Sequence, residues 1–158
     1  GNIQYKPTEV AIDELVLKSI QLLSEFAQRK DISVILSSQS KATVCCDPNM
    51  INTVVRNLIS NAIKFTPAGG LIDISVRKNS GSIAIVVADN GVGMTPQQVE
   101  KLFCLGEQIS TSGTNNEPGT GLGLLLCKDF LSIHESELTV RSIKNGGTTF
   151  GFTLKMVN

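Results

Sequence analysis

The first residues that could do chemistry are three polar side chains at helical spacing. Asn57, Asn61 and Lys64 lie within roughly 60° of one another on a helix of about 100° per residue. A helix is predicted here because Asp47 and Pro48 form an N-cap followed by a proline in the first turn. Carboxamide oxygens suit a hydrated Mg²⁺, and an ammonium group suits phosphate. The same stripe also fits an ordinary solvated helix face.

A second candidate, Asp89, directly follows the most apolar predicted strand, at residues 83–88. This order places its carboxylate at the edge of the core, where a group that only accepts hydrogen bonds needs a donor. An adenine amino group would supply one, and Gly91 and Gly93 would let the backbone approach the ring. A hairpin turn is the alternative, although Pro96 favours the start of a helix over a returning strand.

A third candidate segment joins a polar loop at residues 104–118 to the last predicted helix. It alternates glycine with other residues: Gly119, Thr120, Gly121, Leu122, Gly123 and Leu124. Unpaired backbone N–H groups and the positive end of the helix dipole could face an anion there. A plain helix start explains the segment equally well, because it lacks the strand context of a dinucleotide fingerprint and the lysine of a P-loop.

The chain as a whole fits one domain. With 158 residues, 41% of them hydrophobic, it can bury about 68–70% of its unfolded surface. Fourteen Lys and Arg balance fourteen Asp and Glu, so no net field attracts nucleic acid or an anionic membrane. The longest apolar stretches, of about six residues, fall far short of the roughly 20 that span a bilayer. The four cysteines lack metal-ligand spacing and indicate reduced thiols in a cytoplasmic protein.

Apolar periodicity and turn residues predict an α+β fold with a mixed sheet and helices on one face. Residues 1–8 are expected to be a linker, with the start of the first helix at residues 6–8. Asn145 and Gly146 form the strongest hairpin signal, between the two closing strands. The predicted helices cover residues 12–29, 47–64, 95–103 and about 119–133, and the predicted strands cover residues 34–36, 43–46, 72–76, 83–88, 138–143 and 148–154.

Taken in order, these segments resemble the N, G1, F, G2 and G3 boxes of a sensor histidine kinase. The matching residues are Asn57, Asn61 and Lys64, then Asp89, Gly91, Gly93 and Met94, then Phe103, then residues 119–124, and finally Gly147, Thr148, Thr149 and Phe150. The resemblance covers residues 47–154. It implies a single catalytic and ATP-binding domain over residues 1–158 with the Bergerat fold of the GHKL superfamily: a two-layer α/β sandwich with a mixed, mainly antiparallel sheet and three helices on one face.

The resemblance also implies ATP and Mg²⁺ as cofactors and gives the residues roles. Asp89 would accept a hydrogen bond from the adenine amino group, and Thr149 would lie near the base. Asn57 and Asn61 would coordinate Mg²⁺, while Lys64 would meet the phosphates and share the catalytic role with Asn57. Residues 104–118 would form the ATP lid. The remaining implied nucleotide-binding residues are Gly91, Gly93, Met94, Phe103, Gly119, Thr120, Gly121, Leu122, Gly123 and Leu124.

The implied reaction is phosphoryl transfer rather than hydrolysis. Related ATPases of the superfamily carry Glu where this chain has Asn57, and a carboxamide cannot take a proton from water. The only histidine, His134, lacks a phosphoacceptor setting, so the acceptor is expected on a dimerisation and phosphoacceptor domain that is absent here. The other expected partner is the receiver domain of a response regulator. The isolated domain is expected to be a cytoplasmic monomer without direct membrane contact, whether or not its parent is anchored in the inner membrane.

Two alternative functions stay open. No Lys or Arg occurs between Leu102 and Cys127, so the predicted lid offers no cation to the γ-phosphate. This favours a nucleotide-sensing module that transfers nothing. The other alternative is a hydrolytic GHKL ATPase, against which Asn57 argues.

Overall fold

The computed structural model describes residues 4–102 and 123–157. These residues form seven strands and four helices. In chain order they are β1 (Thr8–Ala11), α1 (Ile12–Arg29), β2 (Ser33–Gln39), β3 (Thr43–Cys46), α2 (Pro48–Phe65), β4 (Leu71–Asn79), β5 (Ser82–Asp89), α3 (Pro96–Lys101), α4 (Gly123–Ile133), β6 (Thr139–Ile143) and β7 (Gly147–Lys155).

Five of the strands form one mixed sheet in the order β2-β4-β5-β7-β6. Only the β2 and β4 pair is parallel, and the other three pairs are antiparallel. The most apolar predicted strand, at residues 83–88, is part of β5, which lies in the middle of the sheet. The predicted mixed, mainly antiparallel sheet is therefore confirmed.

Helix α2 lies at the centre of the helical layer because its apolar residues recur on one face. It contacts both α1 and α4 and packs over β5. On β5 the alternate residues Ile83, Ile85 and Val87 are buried, so one face of the sheet is covered by helices. Each fully buried aliphatic side chain contributes about 1.5–3 kcal/mol to folding. The buried residues of α2 are Met50, Ile51, Val54, Val55, Leu58, Ile59, Ala62 and Ile63.

The start of the chain differs from the prediction. Residues 8–11 form β1 where the entry to a helix was expected, whereas α1 covers Ile12–Arg29, the range predicted for the first helix. β1 pairs with β3 in a separate two-stranded antiparallel sheet, and the N–H of Ile12 donates to the Ala42 carbonyl at 3.0 Å. A four-residue strand whose partner lies far along the chain leaves no local periodicity to detect. The expected linker is also partly fixed, because the Lys6 N–H donates to Asp47 Oδ2 at 2.8 Å.

Three cysteines lie in the described part of the chain and all are free thiols: Cys45, Cys46 and Cys127. Burial raises the pKa of Cys46 to about 12 and that of Cys127 to about 11. Both therefore stay protonated at neutral pH and behave as small apolar core residues. Within residues 4–102 and 123–157, no helix combines the length and the apolar character needed to cross a membrane.

Candidate functional site

Asp89 ends the central strand β5 with its side chain on the helix-covered face of the sheet. Its Oδ1 accepts hydrogen bonds from the Gly91 N–H at 2.8 Å and the Thr148 N–H at 3.3 Å. Among the described residues, both hydrogen bonds to this carboxylate go to Oδ1 and none goes to Oδ2. Burial raises the pKa of Asp89, although the two backbone N–H groups act in the opposite direction. A half-buried carboxylate is suited to accept a hydrogen bond from an amino group.

The loop that follows Asp89 is held between the end of α2 and the last hairpin. The Val92 N–H donates to the Phe65 carbonyl at 3.1 Å, and the Asn145 N–H donates to the Val92 carbonyl at 2.7 Å. The Met94 N–H donates to Ser142 Oγ at 2.8 Å. These bonds come from two separate elements, so they fix the loop that carries the residues after Asp89.

The two glycines of this loop are required by neighbouring backbone. A Cβ built on Gly91 would collide with the Phe65 carbonyl oxygen, and one on Gly93 would collide with the Ile143 carbonyl oxygen. Gly93 also has a φ of +67°, in the left-handed region that L side chains avoid. From the sequence, these glycines are expected to let the backbone approach a purine ring. In the structure their first role is to let the loop pack between α2 and the hairpin.

Thr148 and Thr149 differ in their position relative to Asp89. In the antiparallel register of β5 and β7, Asp89 lies opposite Thr148, whereas Thr149 lies opposite Ala88. Successive residues of a strand point to opposite faces, so Thr149 lies on the face away from Asp89. Thr148 is therefore the threonine beside Asp89, and the role of Thr149 near the base stays a prediction. Thr148 is buried, and its N–H is bonded to Asp89.

The polar stripe of α2 borders the same region. Asn57, Asn61 and Lys64 are all half-buried along one edge of the helix. The Asn57 side-chain amide donates to the carbonyl of Gly123, the first residue of α4, at 3.4 Å. That contact uses the nitrogen of the amide. Leu124, the next residue of α4, is also half-buried and packs against the core.

A buried lysine that the sequence argument did not single out holds the end of this helix. Lys30 follows α1, and its Nζ donates to the carbonyls of Ile63 and Lys64, each at 2.8 Å. A helix leaves its last carbonyls without partners inside the helix, and a cation there also complements the helix dipole. Lys30 therefore fixes the backbone that carries Lys64. A lysine just after a helix gives no sequence signal of burial, because lysine is usually exposed.

The single histidine is part of the framework. His134 Nε2 accepts from the Asp47 N–H at 3.0 Å, and Nδ1 lies 2.7 Å from the Phe130 carbonyl. Because Nε2 is an acceptor, Nδ1 carries the proton and donates it to that carbonyl. The Tyr5 ring packs against the imidazole in a T-shaped arrangement, with 5.1 Å between the ring centroids. The two ring nitrogens thus connect α4 to the start of α2.

The donor set suits a metal that arrives with its own anionic ligands. Asn57 and Asn61 are neutral, and Mg²⁺ is bound through a few protein oxygens together with water and phosphate oxygens. Among the residues that the structure describes, no group of three or more His, Cys, Asp or Glu side chains is arranged to hold a metal ion. The two asparagines therefore fit Mg²⁺ as a companion of a phosphorylated ligand.

Several predicted site residues lie outside the described residues. They are Phe103, Gly119, Thr120, Gly121 and Leu122, together with the predicted lid at residues 104–118. Their roles stay predictions. Among the described residues, Asn57 contacts Gly123, and Asp89 contacts Gly91. Asn61 and Lys64 lie on α2 with Asn57, Gly93 and Met94 lie in the loop after Asp89, and Leu124 follows Gly123 on α4.

These features define a GHKL catalytic and ATP-binding domain. They are the mixed sheet covered by three long helices, the Asp89 carboxylate followed by Gly91 and Gly93, and the helix α2 that carries Asn57 and Asn61. A family model described as "Histidine kinase-, DNA gyrase B-, and HSP90-like ATPase" matches residues 46–158, and the chain belongs to this family.

Similar proteins agree with this class. The chain is 31% identical to the heme sensor protein HssS of Staphylococcus saprophyticus, covering 94% of the chain and 31% of HssS. It is 33% identical to the sensor-like histidine kinase SenX3 of Mycobacterium tuberculosis, covering 93% of the chain and 36% of SenX3. The solved catalytic domain of histidine kinase ThkA matches with a TM-score of 0.81 and 26% identity over 95% of both chains. The chain thus spans about a third of the length of these curated relatives.

Proposed function

We propose that this domain binds Mg-ATP and transfers the γ-phosphate to a histidine on a dimerisation and phosphoacceptor domain outside this chain, in two-component signal transduction. The observation that carries the proposal is the hydrogen bonding of the Asp89 carboxylate. Its Oδ1 is engaged by two backbone N–H groups, and among the described residues no hydrogen bond goes to its Oδ2. This is the arrangement that an adenine amino group completes.

The base would be selected by Asp89 together with Thr148. The carboxylate accepts hydrogen bonds and cannot donate while it is ionised. Adenine presents a donor at its amino group, whereas guanine presents an acceptor oxygen at the same position. A half-buried carboxylate facing that oxygen would lose a hydrogen bond and meet repulsion, so the site would favour adenine.

The phosphates would lie along the polar edge of α2. Lys64 brings a positive charge there, and its backbone is fixed by Lys30. Asn57 and Asn61 would hold Mg²⁺, which when bound neutralises charge on the phosphate oxygens. Because both asparagines are neutral, the metal and the nucleotide are expected to bind together rather than separately.

The chemistry of Asn57 favours transfer to a nucleophile over hydrolysis. A carboxamide does not act as a general base toward water, so this position cannot activate a water molecule. Phosphoryl transfer instead depends on the position of the nucleophile and on charge stabilisation. His134 is not the acceptor in this proposal, because both of its ring nitrogens are used inside the fold.

The partners in this proposal are the phosphoacceptor domain and the receiver domain of a response regulator. Histidine kinase ThkA has been solved in complex with the response regulator protein TrrA, and that chain has the same fold with a TM-score of 0.80 at 21% identity. We infer a cytoplasmic domain that is monomeric when isolated, because the dimerising segment lies elsewhere. A nucleotide-sensing module without transfer is the second candidate, supported by the absence of Lys and Arg from residues 103–126.

Two measurements test the proposal. Calorimetry with ATP, in the presence and absence of Mg²⁺, is expected to give saturable binding that Mg²⁺ strengthens. Incubation with labelled ATP and a separately produced phosphoacceptor segment from the parent protein is expected to give acid-labile phosphohistidine. Binding without phosphohistidine would support the sensing module, steady phosphate release without an acceptor would support the hydrolytic ATPase, and no binding would contradict all three.

A further inference from the structure

Helices α2 and α4 are hydrogen-bonded to each other at both ends of their contact. At one end the N–H of Asp47, just before α2, donates to Nε2 of His134, just after α4, at 3.0 Å. At the other end the Asn57 side-chain amide donates to the carbonyl of Gly123, the first residue of α4, at 3.4 Å. Residue numbers rise along α2 as they fall along α4, so the two helices run antiparallel and both bonds belong to one register.

A third contact between these two bonds follows the same register. The Cys127 thiol donates to the Val54 carbonyl at 3.8 Å. At 100° per residue, Gly123, Cys127 and His134 lie within about 40° of one another, so they meet α2 along one line. Apolar packing has no preferred direction, whereas a hydrogen bond weakens as soon as one helix slides along the other. These three contacts therefore fix the axial position of α4 on α2.

We propose that His134 is a positioning residue for the metal and phosphate part of the site, because it holds α4 at one axial position from which the Gly123 carbonyl orients the Asn57 amide. The inference rests on the proposed binding of Mg-ATP and deepens it, since Asn57 is one of the two proposed Mg²⁺ ligands. A helix transmits a shift at one end to the other. The bond between Asn57 and Gly123 is already long at 3.4 Å, so sliding of α4 breaks it and frees the amide to rotate.

The part of the site that would bind the base is held by other elements. The loop after Asp89 is bonded to the Phe65 carbonyl at the end of α2, to the Ser142 hydroxyl on β6 and to the Asn145 N–H in the last turn. None of these bonds comes from α4. A shift of α4 is therefore expected to weaken the binding of metal and phosphates and to leave the binding of the base unchanged.

The test compares Mg-ATP with adenosine, which carries the base without the phosphates. Calorimetry measures the affinity for Mg-ATP, and NMR titration measures the weaker affinity for adenosine. His134→Leu removes the acceptor of the Asp47 N–H and is expected to lower the Mg-ATP affinity about three- to tenfold, the range of one hydrogen bond, with the adenosine affinity unchanged. His134→Gln brings a carbonyl oxygen close to the position of Nε2 and is expected to keep the wild-type ratio of the two affinities.

Asp47→Ala is the matched control at the same junction. It removes the side chain that caps α2 through the N–H groups of Asn49 and Met50, but it keeps the backbone N–H that donates to His134. It is expected to lower stability and to keep the wild-type ratio of the two affinities. If His134 served stability alone, His134→Leu would likewise keep that ratio.

Each outcome bears on a distinct claim. A wild-type domain that does not bind Mg-ATP contradicts the proposed function itself. If the wild type binds Mg-ATP, a folded His134→Leu variant with the wild-type ratio overturns the role of His134 alone, and so does a ratio in His134→Gln as low as in His134→Leu. If His134→Leu proves too unstable to measure, His134→Asn has a side chain too short to reach the Asp47 N–H, and the same fall in the ratio is expected.

Discussion

Replacing Asp89 by asparagine separates the proposed recognition of adenine from the integrity of the fold. Asparagine keeps a carbonyl oxygen that can accept from the Gly91 and Thr148 N–H groups, now bonded to Oδ1 at 2.8 and 3.3 Å. Its amide nitrogen then takes the place of Oδ2 and brings a donor to face the donor of the adenine amino group. The nucleotide loses a hydrogen bond to a charged group, which is worth about 1.5–3 kcal/mol.

That loss corresponds to a fall in ATP affinity of about 10- to 150-fold. Stability is expected to stay the same or rise slightly, because burial disfavours the ionised form of Asp89 and asparagine carries no charge. Calorimetric titration with Mg-ATP measures the first effect, and thermal unfolding measures the second. Asp73→Asn is the matched control, because Asp73 is a half-buried carboxylate on the neighbouring strand β4 and on the other face of the sheet. Unchanged ATP affinity in a folded Asp89→Asn variant would refute the assignment.

Three further predictions follow from other contacts. Because burial raises the pKa of Asp89, its carboxylate becomes protonated at a pH above 3.8, the ordinary pKa of aspartate. ATP affinity measured by calorimetry should therefore begin to fall at a pH above 3.8. Lys30→Met leaves the carbonyls at the end of α2 without their cation and should lower the free energy of unfolding in urea by about 1–3 kcal/mol. Asp47→Ala removes the N-cap of α2 and should lower stability by about 1–2 kcal/mol at pH 7. Burial alone would raise the pKa of Asp47, but hydrogen bonds from the N–H groups of Lys6, Met50 and Asn49 lower it. The stabilisation by the Asp47 cap is therefore complete above pH 3.8, and it is lost as the pH falls through the lowered pKa.

Each of these has a control and a contrary result. The pH dependence should be absent from Asp89→Asn, and an equal dependence in that variant would assign it to another group. Lys18→Met, an exposed change on α1, should leave the urea midpoint unchanged, whereas a Lys30→Met midpoint equal to wild type would contradict the role of Lys30. A stability gap between wild type and Asp47→Ala that persists undiminished at pH 2 would contradict the role of the ionised Asp47 cap.

Elements with strong local signals could be predicted from the sequence. Helix α2 begins at Pro48 after the Asp47 cap, whose side chain accepts from two N–H groups of the first turn. The strand β5 follows from its apolar run, and the final hairpin follows from Asn145, which adopts a φ of +66°. In each case the residues that specify the element lie within it or next to it, so local physics is sufficient.

The remaining features depend on contacts between distant segments. β1 exists because it pairs with β3, and its four residues carry no periodic pattern. The choice between Thr148 and Thr149 depends on a one-residue register between β5 and β7, which reverses the face of every side chain. Lys30 is buried because the end of α2 needs a donor, and that end is more than thirty residues away along the chain. Neither the composition of a segment nor the spacing of its residues indicates which distant segment it will contact.

The most direct test of the central claim is a crystal structure of this domain with Mg²⁺ and a non-hydrolysable ATP analogue. We expect the adenine amino group within hydrogen-bonding distance of Asp89 Oδ2, and the phosphates along the edge of α2 that carries Asn57, Asn61 and Lys64. A base bound elsewhere, or a site beside Asp89 without nucleotide at saturating concentration, would contradict the account.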